Sequence, residues 1–247
     1  MGGRETERRR EMLIELAEIL DCPDCRASVG LVAFADRMAS RRIVEGRLGC
    51  PLCEIEVPIR RGTMRFDRSN AERRATSGPG PAGRLPAESG AGAPPTGSVG
   101  EAAEEAALRL AALLGVRDRA GMVVLLGPRL ALHGSAVARI GDRLEVLAWL
   151  PDPADAPPSA APAIEDLAAG VNPVLGAAPD RWPVRAGTLH GIALTGPMVF
   201  PLGEIARCTR PGARLVVEAP TRADLDLLGA SEFAEVASDP AFWVGQA

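Results

Sequence analysis

Apolar residues fall into regular patterns mainly from residue 98 onward. Ala103, Ala106, Ala107, Leu110, Leu113 and Leu114 recur at i, i+3, i+4, i+7 spacing and so share one face of a helix. Ser98 and Glu101 open that run with the S-x-x-E spacing of a capping box, and Gly115 follows it where a helix ends on a left-handed glycine. Residues 122–126 are a short unbroken apolar run, which predicts a strand buried on both faces. Pro128, directly after Gly127, is expected to open a helix running towards Ile140. Residues 144–150 read as the next strand, and 163–169 supply a helical turn or two in a stretch rich in Pro and Ala. Residues 171–175 and 189–195 also read as strands, the first placed at a sheet edge because Pro173 lacks an amide. A helix is expected at 201–208, a strand at 214–218 and a helix at 222–228. Residues 233–237 and 241–245 are close enough to pair as a hairpin. Strands alternating with helices imply an α/β fold, a mostly parallel sheet with helices on both faces.

The rest of the chain has a different character. Residues 1–66 hold four cysteines in two pairs, preceded by Leu13, Leu16, Ile19 and Leu20, which predict an N-terminal helix docked on the cysteine region. Residues 67–97 are expected to be a linker: from Ser77 to Gly100, 12 of 24 positions are Gly or Pro, too many for a packed element. Residues 98–247 then form the α/β unit. At 247 residues the chain is long enough for one large domain or two modest ones.

Composition narrows the function classes only slightly. All 28 basic residues are arginine and there is no tyrosine, which reads as coding bias, and the net charge is −4. Residues 1–76 carry 15 Arg against 13 acids, an excess too small to argue for nucleic acid by itself. Arg41, Arg42, Arg60, Arg61 and Arg65 read as a solvated face, with a partner or RNA contact as the sharper alternative. No segment approaches the roughly 18–20 uninterrupted apolar residues of a membrane span. Cysteines in CxxC pairs, with one left over, fit a reducing compartment better than a disulfide framework, and the expectation is a cytoplasmic protein.

Cys22-Pro-Asp-Cys25 and Cys50-Pro-Leu-Cys53 are two matched C-P-x-C knuckles with 24 residues between them. Each lets the chain turn so that two thiolates reach one ion, and together they complete a tetrahedral S₄ shell suited to Zn²⁺ and closed to water. Iron is the variant the same spacing admits. Such a metal is structural. The intervening residues leave room for one hairpin, with 42–48 as a strand. Cys208, alone on an apolar helix face, reads as core. His133 and His190, the only histidines, read as structural residues.

The segment from Leu16 through Cys25, then Val44 through Cys53, then Val57-Pro-Ile59 and Gly62, resembles the zinc ribbon of the tRNA-methyltransferase activator subunits. In that family the ribbon activates a methyltransferase as a partner or is fused to one. Glu54 stands where a glycine usually follows the last ligand, and Val57 where a tyrosine is common. Downstream, Trp182-Pro-Val184, His190 through Leu194, Glu204-Ile-Ala-Arg207, Arg210-Pro-Gly212 and Arg214 through Val217 resemble, in order, segments of a class I methyltransferase that uses S-adenosylmethionine. The resemblance implies a Rossmann-like sheet with a C-terminal β-hairpin.

The family's cofactor loop is where the likeness fails. Side chains in the turn after the first strand would collide with the cofactor, so that turn is glycine-rich. Here residues 125–131 keep Gly127, but Leu125 replaces the usual acid, and Arg129 and Ala131 replace later glycines. Pro128 is expected to start the helix at once and remove the loop. The acid that holds the ribose hydroxyls is missing from 147–150, with Asp152 coming late. The adenine-contacting acid falls near Ala178, with Asp180 as a displaced substitute. Gly127 and Asp180 are thus what remains to hold S-adenosylmethionine. The sequence points to a methyltransferase-like domain whose cofactor binding is weakened or gone, acting by binding or regulating a partner such as a methyltransferase or an RNA-modification or translation component. The alternative is a divergent but active methyltransferase.

Overall fold

The structure, a computed structural model, describes residues 12–66 except 26 and 40, and 99–116, 121–140, 143–150, 171–176 and 182–247 except 199. The expected linker 67–97, the helical turn at 163–169, and Ser98, Asp152, Ala178 and Asp180 lie outside the described residues.

The N-terminal part begins with β1 (Met12–Leu13) and one helical turn, α1 (Leu16–Ile19). The helix is shorter than the apolar spacing suggested, because Met12 and Leu13 are drawn into pairing with Ile43 and Arg42. Then come β2 (Val32–Ala39), β3 (Arg42–Gly49), β4 (Glu56–Arg60) and β5 (Thr63–Arg65), an antiparallel meander. Arg61 and Gly62, at φ 49° and 71°, make the two-residue turn between β4 and β5. Two consecutive left-handed residues match the twist of a tight hairpin.

The second part runs α2 (Val99–Leu114), β6 (Gly121–Leu126), α3 (Pro128–Ala131), α4 (Gly134–Ile140), β7 (Leu144–Leu150), β8 (Val171–Leu175) and β9 (Leu189–Thr195). It ends with α5 (Leu202–Cys208), β10 (Thr209–Glu218), α6 (Arg222–Gly229), β11 (Ala234–Ser238) and β12 (Phe242–Gln246). The single helix expected from Pro128 to Ile140 is broken at Leu132–His133. Gly134 explains the break: a Cβ there would stand 3.0 Å from Val171 and 3.4 Å from Val146, so the chain steps in close to the sheet before the second helix starts. At the end of α2, Gly115 has φ +67° and caps it as expected.

The strands of the second part are ordered β8-β7-β6-β9-β10-β12-β11, parallel except for β12. Counted within this unit the order is 3-2-1-4-5-7-6. It is the doubly wound order with an antiparallel strand inserted before the last. The order reverses between β6 and β9, which defines the switch point. β11 and β12 form the expected hairpin.

The ribbon strands continue this sheet. β5 runs parallel to β8, with Met64 opposite Val174 and Arg65 opposite Leu175, and Phe66 N donates to Leu175 O at 2.8 Å. The edge position expected for 171–175 is therefore wrong: β8 is an interior strand. Pro173 is tolerated because the pairing with β5 begins one residue beyond it. Below that point the junction is closed by side chains. Asn172, fully buried, donates from Nδ2 to Val146 O (3.2 Å) and Glu145 Oε2 (3.1 Å) and accepts from Leu13 N at 2.9 Å. Glu145 in turn pairs with Arg42 at 2.6 Å.

Successive side chains along β6 and β7 point to opposite faces. Val123, Leu125, Val146, Ala148 and Leu150 pack under α2 and α4. Val124, Leu126, Leu147 and Trp149 pack on the other face, in one core with Leu16, Leu20, Ile43, Leu48 and Ile59 of the ribbon and Ile205 and Leu228 of α5 and α6. The ribbon thus takes the place of a covering helix.

Asn172→Ala leaves the Leu13 amide without its partner, and a lost buried hydrogen bond costs about 1–3 kcal/mol. The urea midpoint should fall accordingly, and a change below about 0.5 kcal/mol would mean that the junction contributes nothing measurable.

Candidate metal centre and cofactor cleft

The four knuckle cysteines come together. Their sulfurs all lie within 4.8 Å of one another, Cys22 and Cys53 at 3.4 Å and Cys25 and Cys50 at 3.6 Å. A tetrahedral shell with Zn–S bonds of about 2.3 Å puts the sulfurs about 3.8 Å apart, so an ion fits with movements of up to about 1 Å at the widest pair. In each knuckle a backbone amide points at the first sulfur: Cys25 N lies 3.4 Å from Cys22 Sγ and Leu52 N 3.4 Å from Cys50 Sγ. These dipoles stabilise thiolate, the form that binds metal. Burial raises the Cys22 and Cys53 thiols above the usual range. At Cys50 burial acts the same way, but the amides of Leu52 and Cys53, together with the Cys25 and Cys53 thiols, outweigh it and lower the thiol to about 7. Four thiols held this close ionise together only around a cation. Cys22, Cys25, Cys50 and Cys53 would hold Zn²⁺ with no open position, so the ion would staple the fold and activate nothing.

Glu54, the departure at the position after the last ligand, sits at φ 60°. The left-handed conformation costs a residue with a Cβ about 1–2 kcal/mol, so glycine would be favoured at this position. Cys208 is fully buried in the core, apart from the metal cluster.

The cleft at the carboxyl ends of the strands is built differently from the metal centre. β6 ends at Leu126, and α3 starts at Pro128, so Gly127 alone makes the turn. Its φ of +94° is what requires glycine, since a Cβ there would meet nothing within 4 Å. The Gly127 amide is spent on Trp149 O at 2.9 Å. Arg129, in the first turn of α3, reaches across to Glu218 at the end of β10, Nη2 to Oε1 3.4 Å. His133 stands near both of them, and burial lowers its pKa. On the ribbon side Trp149 stacks between Phe66 and Trp182, with centroids 5.6 and 5.9 Å away, and Trp182 meets Phe200 at 5.4 Å. The loop after β9 is tied down by buried Asp224, which accepts from Met198 N (2.8 Å), Thr221 N (2.8 Å) and Thr221 Oγ1 (2.7 Å). Asp224 was missed in the sequence, although Thr221 three residues before it has the spacing of a capping box.

His190 lies at the opposite end of the sheet, its Nδ1 accepting from Met122 N at 3.2 Å, so the two histidines share no site. Among the proposed basic strip, Arg41 pairs with Glu15 (2.7 Å), Arg42 with Glu145 and Arg60 with Glu45 (3.6 Å). That side of the ribbon is a mixed-charge surface. No helix among the described residues is long and apolar enough to cross a membrane.

No family model and no curated protein matches the chain. Similar solved structures include a methyltransferase from Geobacter sulfurreducens, 20% identical over 62% of this chain and 90% of that one, with a TM-score of 0.40. A SAM-dependent O-methyltransferase from Thermotoga maritima is 11% identical over 57% of this chain and 64% of that one, TM-score 0.42. A SAM-dependent methyltransferase from Aquifex aeolicus is 14% identical over 57% and 87%, TM-score 0.40. Scores this low carry no weight alone; the strand order and antiparallel β12 define a Rossmann-like, methyltransferase-like fold. Activity does not follow from fold.

One equivalent of zinc per chain is expected by elemental analysis, released as acid protonates the thiolates. A full equivalent retained by Cys50→Ser would contradict the assignment. Glu54→Gly should relieve the left-handed strain; after the entropy cost of glycine, about 0.5–1 kcal/mol of added stability remains, read as a higher denaturant midpoint. A lower midpoint would show that the Glu54 side chain has a role of its own.

Proposed function

We propose that this chain is a binding protein built on a methyltransferase-like fold, with a zinc ribbon attached in cis and the hold on S-adenosylmethionine weakened or lost. The observation that carries this reading is the one-residue turn at Gly127. A cofactor's methionine and ribose need a loop whose backbone amides face open space. Here the only amide of the turn is bonded to Trp149 O, and Arg129 spans to Glu218 where the loop would lie. The division into 1–66, 67–97 and 98–247 belongs to the same proposal, as do a cytoplasmic location and a protein partner from methyl transfer, RNA modification or translation. The ribbon's β5 is already paired with β8, which favours a partner that docks elsewhere on the chain. The paired arginines weigh against RNA as the main ligand.

The second reading, an active methyltransferase of divergent sequence, is favoured by the retained switch point between β6 and β9 and the open space over Gly127. Calorimetry with S-adenosylmethionine separates the two. No heat of binding is expected up to millimolar cofactor, and binding in the micromolar range would replace the first reading with the second.

A further inference from the structure

Residues 182–185, the approach to β9, are held between the ribbon and α5. Pro183 O accepts from Asp21 N at 3.2 Å, and Arg185 N donates to Ile19 O at 2.8 Å. On the other side Trp182 O and Val184 O each accept from Arg207, from Nη2 and Nη1 at 2.9 Å. Trp182 N donates to Glu204 Oε2 at 3.1 Å, and the same carboxylate oxygen accepts from Arg207 Nε and Nη2. The backbone groups therefore alternate, odd residues to the ribbon and even residues to α5, as a strand between two neighbours would. Trp182 and Val184 are buried in the core.

Asp21 directly precedes the ligand Cys22. Its side chain is 3% exposed, too buried for an unpaired carboxylate. Arg185 Nε lies 3.7 Å from its Oδ1, and the Ser28 hydroxyl lies 3.4 Å from Oδ2. The guanidinium rests against the left-handed Gly30, where a Cβ would stand 3.0 Å from Nη2. Arg185 is thus held at its backbone by Ile19 and packed against Gly30, with its guanidinium in ion-pair range of Asp21 but without a hydrogen bond between Nε and Oδ1. Asp21 adjoins Cys22 in the chain, so holding its side chain holds the entry to the first knuckle; groups that fix the position of metal ligands commonly contribute 10- to 100-fold to affinity.

We propose that Asp21 and Arg185 are positioning residues for the metal centre, and that residues 182–185 make metal loading and the seating of Trp182 one event. The inference rests on the metal reading of the four cysteines. Leu20 anchors this segment in the shared core, but without an ion the thiol that follows Asp21 is no longer bound to the second knuckle, so the chain entering the first knuckle is released to move. When residues 19–21 shift, Pro183 O and Arg185 N lose their partners, and Trp182 loses its seat between Trp149 and Phe200.

The test uses the full-length protein loaded with Zn²⁺ and titrated with a chromogenic chelator while tryptophan emission is followed. Asp21→Asn and Arg185→Met should each weaken Zn²⁺ binding about 10-fold, with Arg185→Lys recovering part of the loss. Metal removal should red-shift the emission of the parent protein, and the shift should shrink in Trp182→Phe. Unchanged affinity in both variants, with emission unmoved by metal removal, overturns the inference while leaving the metal centre intact. Loading that survives Cys50→Ser overturns the metal reading, and this inference with it.

Discussion

The parallel pairing of β5 with β8, Met64 opposite Val174 and Arg65 opposite Leu175, is the constraint on which the rest of the molecule depends. A ribbon of this size has too little apolar interior to fold on its own terms. The sheet of the second part would, without the ribbon, leave the outer edge of β8 unpaired and the Trp149 face partly bare. Joining the two solves both problems, because Ile43, Leu48 and Ile59 share one core with Leu147, Trp149 and Val174. The polar chain Arg42–Glu145–Asn172–Leu13 fixes the register of that union. Apolar contact alone would tolerate sliding; a buried amide with three partners does not.

The two candidate sites obey opposite logic. At the knuckles, backbone amides are aimed at sulfurs and every ligand is presented inward, which is what a closed tetrahedral site needs. At the mouth of the sheet, the amide that a cofactor would want is bonded internally, and an arginine–glutamate pair crosses the ends of three strands. At the second site the turn is short and internally bonded, whereas at the first the amides are turned towards the sulfurs.

Much of the architecture was legible because apolar runs are local signals. Residues 144–150 and 189–195 are strands to the residue, since each is dominated by apolar positions with at most one charged or imidazole side chain among them. What failed depended on distant partners. The edge assignment of 171–175 could not foresee that Met64 and Arg65, more than a hundred residues upstream, would supply the neighbour. The N-terminal helix shrank to one turn because β3 claimed Met12 and Leu13, and the break before Gly134 arises from valines on two other strands. At the knuckles the spacing of thiols revealed which four cysteines come together, and nothing of what surrounds them. Glu204 and Arg207 stood out as a motif, yet their work on residues 182–184 appears only in three dimensions.

Bringing β8 into the interior moves the open ends of the sheet outward, to β2 on one side and β11 on the other. A twelve-stranded sheet with two clean edges would be a template for end-to-end polymerisation. Both outer strands are irregular at the same relative point, near their middles: the register slips between Ala35 and Arg37 in β2 and between Glu235 and Ala237 in β11. Each slip brings charge, with Asp36 and Arg37 on one edge and Glu235 on the other. A bulge twists the strand and spoils the spacing an incoming chain would have to match. Among the described residues, the same width that lets the ribbon and sheet share a core thus carries a blemish at each border, each one a poor template for an incoming strand.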